Sequence, residues 1–442
     1  MTTDLNCVTL TVAALFFSGQ IGGVAVSGNK AHRVKPTPTP TAVPTATLTP
    51  IPSTPTPGPA PTVTPTPVPT ATGTPQPSPS GTPTAVAVVL KSTLVITSAD
   101  NGKTFSHYKI STTSGDCVDM NGASNVTFEQ SDIGPCAGHA IFMNGGSGNN
   151  VYDNYLHSEG AGYGCCDNHE GIRIAGASTI DVQGNVIAYN ESNIRVDSGS
   201  NGVTINGNYG LNPLGPYPRG QNYQSDTVNN VKVESNYFYS CTLPGSTLGG
   251  VTCSATAPDG SLYLFSENQE DSVNFYVTTT FTAQNNYVVG GHSPSGCGII
   301  FDYEANGGQV IDNILSSTGQ CGVGVANGTN PVVSGNKILQ LTPISGAGNT
   351  AIYTWNQYSP ACGPTLLNNN TATMVLSPGN YNSYWDGGGC GPVTESGNIF
   401  DQAAYDALYP MSTTNPPPLI PPLPKNCVAA SPYSTQTSMP GC

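Results

Sequence analysis

The sequence predicts an all-β solenoid of stacked parallel coils, preceded by a disordered Thr/Pro-rich linker. Two recurring phrases predict the solenoid. In the first, two alternating apolar residues precede a two-residue gap, an Asn and a further apolar position. It reads Ile180-Asp-Val182-Gln-Gly-Asn185-Val-Ile187, Val203-Thr-Ile205-Asn-Gly-Asn208 and Val231-Lys-Val233-Glu-Ser-Asn236-Tyr-Phe238. Looser copies centre on Asn154, Asn286, Asn313, Asn336 and Asn398, and Ser131 takes the Asn place in the first copy. The copies recur at roughly 23 to 33 residues with one wider gap, a solenoid period. The second phrase, apolar–variable–apolar, precedes the first by about eight residues, as in Ile172-Arg-Ile174 and Ile194-Arg-Val196. One such unit cannot bury its apolar side alone, whereas a stack can.

Taken from the N-terminus, residues 1–27 read as a secretory signal segment. Its apolar run, Val8 to Phe17, is too short to span a bilayer and leads to a small-residue stretch ending at Ser27-Gly28. Residues 28–86 form a Thr-Pro tract whose composition cannot pack a core, so it is expected to stay extended as a spacer. Residues 87–410 hold the repeats, and 411–442 form a Pro-rich tail containing Asn415-Pro-Pro-Pro. A mature chain with no membrane span, secreted or held at the cell surface as a monomer, is the expectation.

The net charge of −14 excludes nucleic acid as a general partner. Thirteen cysteines point to an oxidising compartment. With Cys7 in the leader, twelve remain as disulfide candidates. Five local pairs suggest themselves: Cys117 with Cys136, Cys241 with Cys253, Cys297 with Cys321, Cys362 with Cys390, and Cys427 with Cys442. Cys165 and Cys166 either close a vicinal ring or pin two different loops. Spacing does not fix the connectivity.

The Asn-turn repeat, over about residues 88 to 402, resembles the right-handed parallel β-helix proteins of the pectate-lyase-like superfamily. That resemblance implies a right-handed parallel β-helix of about nine to eleven coils. It leaves function open, because the superfamily includes polysaccharide lyases, glycoside hydrolases, epimerases, esterases and adhesins without catalysis.

In a parallel stack, the middle residues of the second phrase point outward and form a column. In order they are Asp119, Phe142, Arg173, Arg195, Gln224 and Tyr263, followed by Ile300, Gly324 and Tyr353. Asp119, Phe142, Gln224 and Tyr263 are thereby candidate substrate-binding residues. Two arginines on neighbouring coils repel by about 3 kcal/mol at an effective dielectric near 20, which calls for a carboxylate beside them. Such a pair suits the carboxylate of an acidic sugar. The resemblance to lyases further implies Arg173 or Arg195 as the base, with His169 and Glu170 at the site. It also implies Asp167, Glu170 and Asp197 as oxygen ligands of Ca2+. Two functions follow. One is a secreted protein acting on or binding an extracellular acidic polysaccharide, with β-elimination as its chemistry; the other is a non-catalytic, wall-associated glycan-binding adhesin. Glycoside hydrolysis, which needs two close carboxyl groups, ranks lower from sequence alone.

Overall fold

The computed structural model describes residues 89–157, 170–213, 215, 220–240, 247–248, 251–252, 270–291, 295–341, 343–344 and 347–409. The expected signal segment, linker and tail lie outside these residues. So do Asp167, His169 and Tyr263, and the cysteines at 165, 166, 241, 253, 427 and 442.

The chain is a right-handed parallel β-helix. Two sheets, of 13 and 20 strands, run its length, parallel except where Asn380–Tyr381 pairs antiparallel with Thr371–Ser377. Each coil gives the smaller sheet one strand, such as Val186–Ala188 or Tyr237–Ser240. To the larger sheet it gives two, such as Ile194–Asp197 and Asn201–Asn206. In two coils these two merge into the continuous strands Tyr223–Glu234 and Val273–Gln284.

Alternation sets which residues face in. In Ile172–Ala175 and Ile194–Asp197 the flanking Ile172, Ile174, Ile194 and Val196 are fully buried, while the arginines between them are half-buried on the outer face. Phe128, Phe238, Phe275 and Phe301 fill the interior.

The Asn positions form a ladder through the stack. Asn154, Asn185, Asn208, Asn236, Asn286, Asn313 and Asn336 are wholly buried. From Asn185 onward each side-chain oxygen accepts from the backbone N–H and the amide of the Asn one coil earlier, as Asn208 does from Asn185, both at 3.0 Å. Each amide also donates to a carbonyl of the preceding coil, as Asn208 does to Val182 at 2.8 Å. Burial makes these bonds necessary, since an orphaned buried amide costs about 1–3 kcal/mol. Asn370 belongs to the ladder too, bonded to Asn336 and Asn398; its phrase, Leu367-Asn-Asn-Asn370-Thr, lacks a large apolar residue after the Asn.

Three of the expected disulfides are present: Cys117–Cys136, Cys297–Cys321 and Cys362–Cys390. Cys297 and Cys321 are lateral neighbours on consecutive coils, so that bridge staples coil to coil. The helix Asp401–Leu408 packs Ala404 and Leu408 against the last coils. Terminal units of a solenoid need such a cap, because their outer face has no further coil. No helix among the described residues is long and apolar enough to cross a membrane.

Candidate functional site

The lateral register defines the outward column as Val95, Asp119, Phe142, Arg173, Arg195, Gln224, Asn274, Ile300, Gly324, Tyr353 and Trp385. One expected member is corrected. Asn274, not Tyr263, stands beside Gln224. The phrase Val273-Asn-Phe275 carries the same apolar–variable–apolar pattern as Leu262-Tyr-Leu264 and supplies the strand that pairs with Tyr223–Glu234.

Toward the N-terminal end of the column the arginines meet their expected carboxylate. Asp197 Oδ2 accepts from Arg173 Nε at 3.2 Å and from Arg195 Nε at 3.0 Å, and lies 3.1 Å from Arg173 Nη2. One buried oxygen thus offsets the repulsion between both guanidiniums. Arg195 also reaches Asp226 at 3.7 Å and donates to Gln224 at 3.4 Å. The Phe142 ring lies under Arg173, 5.6 Å from its central carbon, so a cation sits on that aromatic face. Asp119 is beside Phe142 on the preceding coil, and burial, with the charge of Asp116 behind it, raises its pKa.

Glu170 is buried beneath these arginines and faces His139. The ring nitrogen His139 Nδ1 lies 2.8 Å from Glu170 Oε2 and 3.3 Å from the Glu170 backbone N–H. Burial alone would raise the Glu170 pKa. The hydrogen bond and charge of His139, reinforced by Arg195 and Arg173, outweigh it and lower the value to about 2 from 4.5. A folded pKa below the unfolded one stabilises the protein above pH 4.5, and that stability is lost as the pH falls toward 2. Glu170→Gln is therefore expected to lower the urea-unfolding free energy at pH 7 by on the order of 3 kcal/mol and to flatten the dependence between those pH values. An unchanged acid limb in the variant would contradict this assignment.

Of the carboxylates expected to hold calcium, Glu170 is engaged by His139, and Asp197 by both arginines. Among the described residues no group of three or more His, Cys, Asp or Glu could hold a metal ion; Asp167, the third of the expected set, lies outside them.

A second cluster lies farther along the same column. Asn274 Nδ2 donates to Asp271 Oδ2 at 2.8 Å and to Asp302 Oδ2 at 3.0 Å. A single amide nitrogen therefore holds two carboxyl groups, one at the foot of its own strand and one at the end of the strand Cys297–Phe301 on the next coil. The Cys297 backbone N–H donates to Asp271 Oδ1 at 2.7 Å, and the Tyr358 hydroxyl donates to Asp302 Oδ1 at 2.6 Å. Burial first, and then the charges of Glu270 and Asp302, push the Asp271 carboxyl well above the usual range. Asp302 is only half-buried. Asn274 Oδ1 is buried with no hydrogen-bond partner among the described groups. Tyr276 stacks obliquely on Tyr303, which meets the edge of Tyr358 at 5.1 Å, so the acidic cluster has an aromatic wall.

Sequence reasoning missed this cluster. Its signal was a pair of acidic stretches, Glu270-Asp271 and Asp302-Tyr-Glu304, flanking outward strands on consecutive coils.

No family model matches the chain, and no curated protein matches its sequence. Among solved structures it is similar to PfbA, a surface adhesin of Streptococcus pneumoniae, at 12% identity and a TM-score of 0.40 over 67% of this chain and 69% of that one. It is also similar to DFA-IIIase from Arthrobacter chlorophenolicus A6 without its lid, at 14% identity and 0.40 over 67% and 66%. A third is endo-xylogalacturonan hydrolase from Aspergillus tubingensis, at 10% identity and 0.38 over 68% and 86%. This chain spans about two thirds of the length of the first two. These likenesses carry no activity across. The parallel registers and the continuous Asn ladder themselves identify the chain as a parallel β-helix protein.

Proposed function

We propose that the protein is a secreted glycan-active β-helix that hydrolyses a glycosidic bond at Asp271 and Asp302. The observation that carries this reading is the pair of carboxyl groups held by one Asn274 amide, with environments that differ in burial. Burial favours the protonated form of Asp271, which would give the proton; the half-buried Asp302 would attack. Sharing one donor keeps the bonded oxygens within about 6 Å of each other. That is near the roughly 5–5.5 Å of a nucleophile pair and short of the ~6.5–9.5 Å that leaves room for a water. The Asp271 proton goes to the leaving oxygen as the bond from the anomeric carbon breaks and Asp302 bonds to that carbon. Water then cleaves the glycosyl ester, returns its proton to Asp271 and leaves the anomeric configuration retained. For attack, the Tyr358 hydroxyl must release Asp302.

The stacked arginines favour a second reading. Arg173 and Arg195 would receive the carboxylate of an acidic sugar, with β-elimination as the chemistry and calcium as its cofactor. The commitment of both guanidiniums to Asp197 suits holding an anion better than acting as a base.

A depolymerisation screen separates the readings. The purified chain is incubated with pectate, alginate, glycosaminoglycans and neutral glycans, each with calcium and with a chelator. Hydrolysis yields new reducing ends without absorbance near 235 nm, and the first-formed anomer matches the substrate. Unsaturated products that vanish in Arg173→Ala and Arg195→Ala would instead establish elimination. Retention of a polymer with no product under any condition would leave an adhesin.

A further inference from the structure

We propose that the two tryptophans of the chain form a stacking subsite for a neutral glycan, four coils along the column from the acid pair. The proposal deepens the glycosidase reading and rests on it for the identity of the ligand as a sugar chain. Trp355 and Trp385 are the chain's complete tryptophan complement, and both are exposed, at 42% and 44%. A large aromatic ring left open to water on a rigid sheet is costly unless something covers it. These two lie edge to face, with centroids 5.6 Å apart, and the buried Tyr353 ring lies 6.4 Å from Trp385.

Two glycines make the platform. A Cβ on Gly387 would come within 2.6 Å of both the Trp355 and the Trp385 ring atoms. On Gly324 it would meet the Tyr353 ring at 2.6 Å. At Gly387 the missing side chain lets the exposed Trp355 and Trp385 rings close over the backbone, and at Gly324 it makes room for the buried Tyr353 ring. Flat faces of this kind match the C–H faces of a pyranose.

The register connects the platform to the acid pair. Trp385 stands beside Tyr353, then Gly324, Ile300 and Asn274, one coil at a time. Four steps of ~4.8 Å give about 19 Å, the length of a short oligosaccharide with roughly one sugar per coil. Charge selects the sugar. Among the described residues from 270 onward the one Lys or Arg is Lys337, whose strand belongs to the other sheet, whereas Asp302, Glu304 and Asp386 are the accessible charges of this half. A uronate would find repulsion there and no counter-charge, so the platform takes a neutral chain.

The tryptophans report on the site themselves. The test is a fluorescence titration of the full chain with neutral gluco-, xylo- and manno-oligosaccharides of two to about six units, and with oligogalacturonates as the acidic comparison. It is run in Asp302→Asn so that no ligand is consumed. The expected result is a saturable emission change with one neutral series, tightening with length to about four units and then levelling. Trp385→Ala and Trp355→Ala, checked for folding by near-ultraviolet circular dichroism, are expected to weaken retention on the matching polymer by at least about tenfold. No emission change with any neutral series, tighter binding of the acidic series, or an emission change that follows protein concentration alone would overturn the subsite. The two proposals fail separately. A wild-type chain that binds the neutral series through its tryptophans but never cleaves it would sink the acid-pair chemistry and keep the platform.

Discussion

Asp302→Asn is expected to lower glycan hydrolysis by on the order of a thousandfold or more, whatever the leaving group, because it removes the atom that bonds to the anomeric carbon. Asp271→Asn is expected to behave differently. Loss of the proton donor costs about 10²–10⁴-fold on natural linkages and far less on aryl glycosides, whose leaving group needs no protonation. The pH profile carries the same distinction. Burial and the neighbouring acids raise the Asp271 pKa, so its protonated form is present below that value and is lost as the pH rises through it. Wild-type activity should therefore fall on the alkaline side, and Asp271→Asn should lack that limb. The sign for stability agrees: a raised folded pKa destabilises the native state as the pH rises through it. Aryl-glycoside and polymer kinetics across pH make the check. Equal losses of both variants on both substrates would remove the division of roles.

Asn208→Leu is expected to be the most destabilising single change in the middle of the stack. It strands the Asn185 backbone N–H, takes from the Asn185 amide one acceptor (Val151 and Gln183 remain), removes the amide donor to the Val182 carbonyl, and costs the Asn236 side-chain oxygen a donor. At about 1–3 kcal/mol for each buried group left unpaired, with partial relaxation, the loss is about 3–5 kcal/mol. Asn398→Leu, at the half-buried end of the ladder, should cost about 1 kcal/mol, because solvent can replace its bonds. Urea unfolding of the two variants measures the gradient. Equal costs at both positions would mean that the ladder is not what makes the amides matter.

The ladder was legible in the sequence nearly coil by coil, since each copy needs the same buried amide at the same corner. Ser131 at the first position was legible as well, and it accepts from the Tyr108 backbone N–H much as an Asn side chain would. Asn370 was missed because small or polar residues, Thr371 and Ala372, follow it where the other copies place at least one larger apolar residue. Arg173 and Arg195 were legible as lateral neighbours, and so was the need for a carboxylate such as Asp197. The role of His139 was hidden, because a single histidine 31 residues before its partner gives no local signal. Tyr263 was misread because the segment before residue 270 contains a strand-like phrase that the pattern alone could not tell from the real strand at Val273.

The sequence by itself determined the period, the buried Asn spine, and which residues of each strand face outward. Those follow from alternation and from the cost of an unpaired buried amide, and both are local. Only the tertiary structure decided which outward residues stand beside each other across coils of unequal length. Asp302 and Tyr358, 56 residues apart, meet because a loop returns over two coils. Asp271 joins them because the strand Val273–Gln284, and not an earlier phrase, takes the place next to Tyr223–Glu234. Direction in a solenoid is set residue by residue, but neighbourhood is set by the length of every coil between.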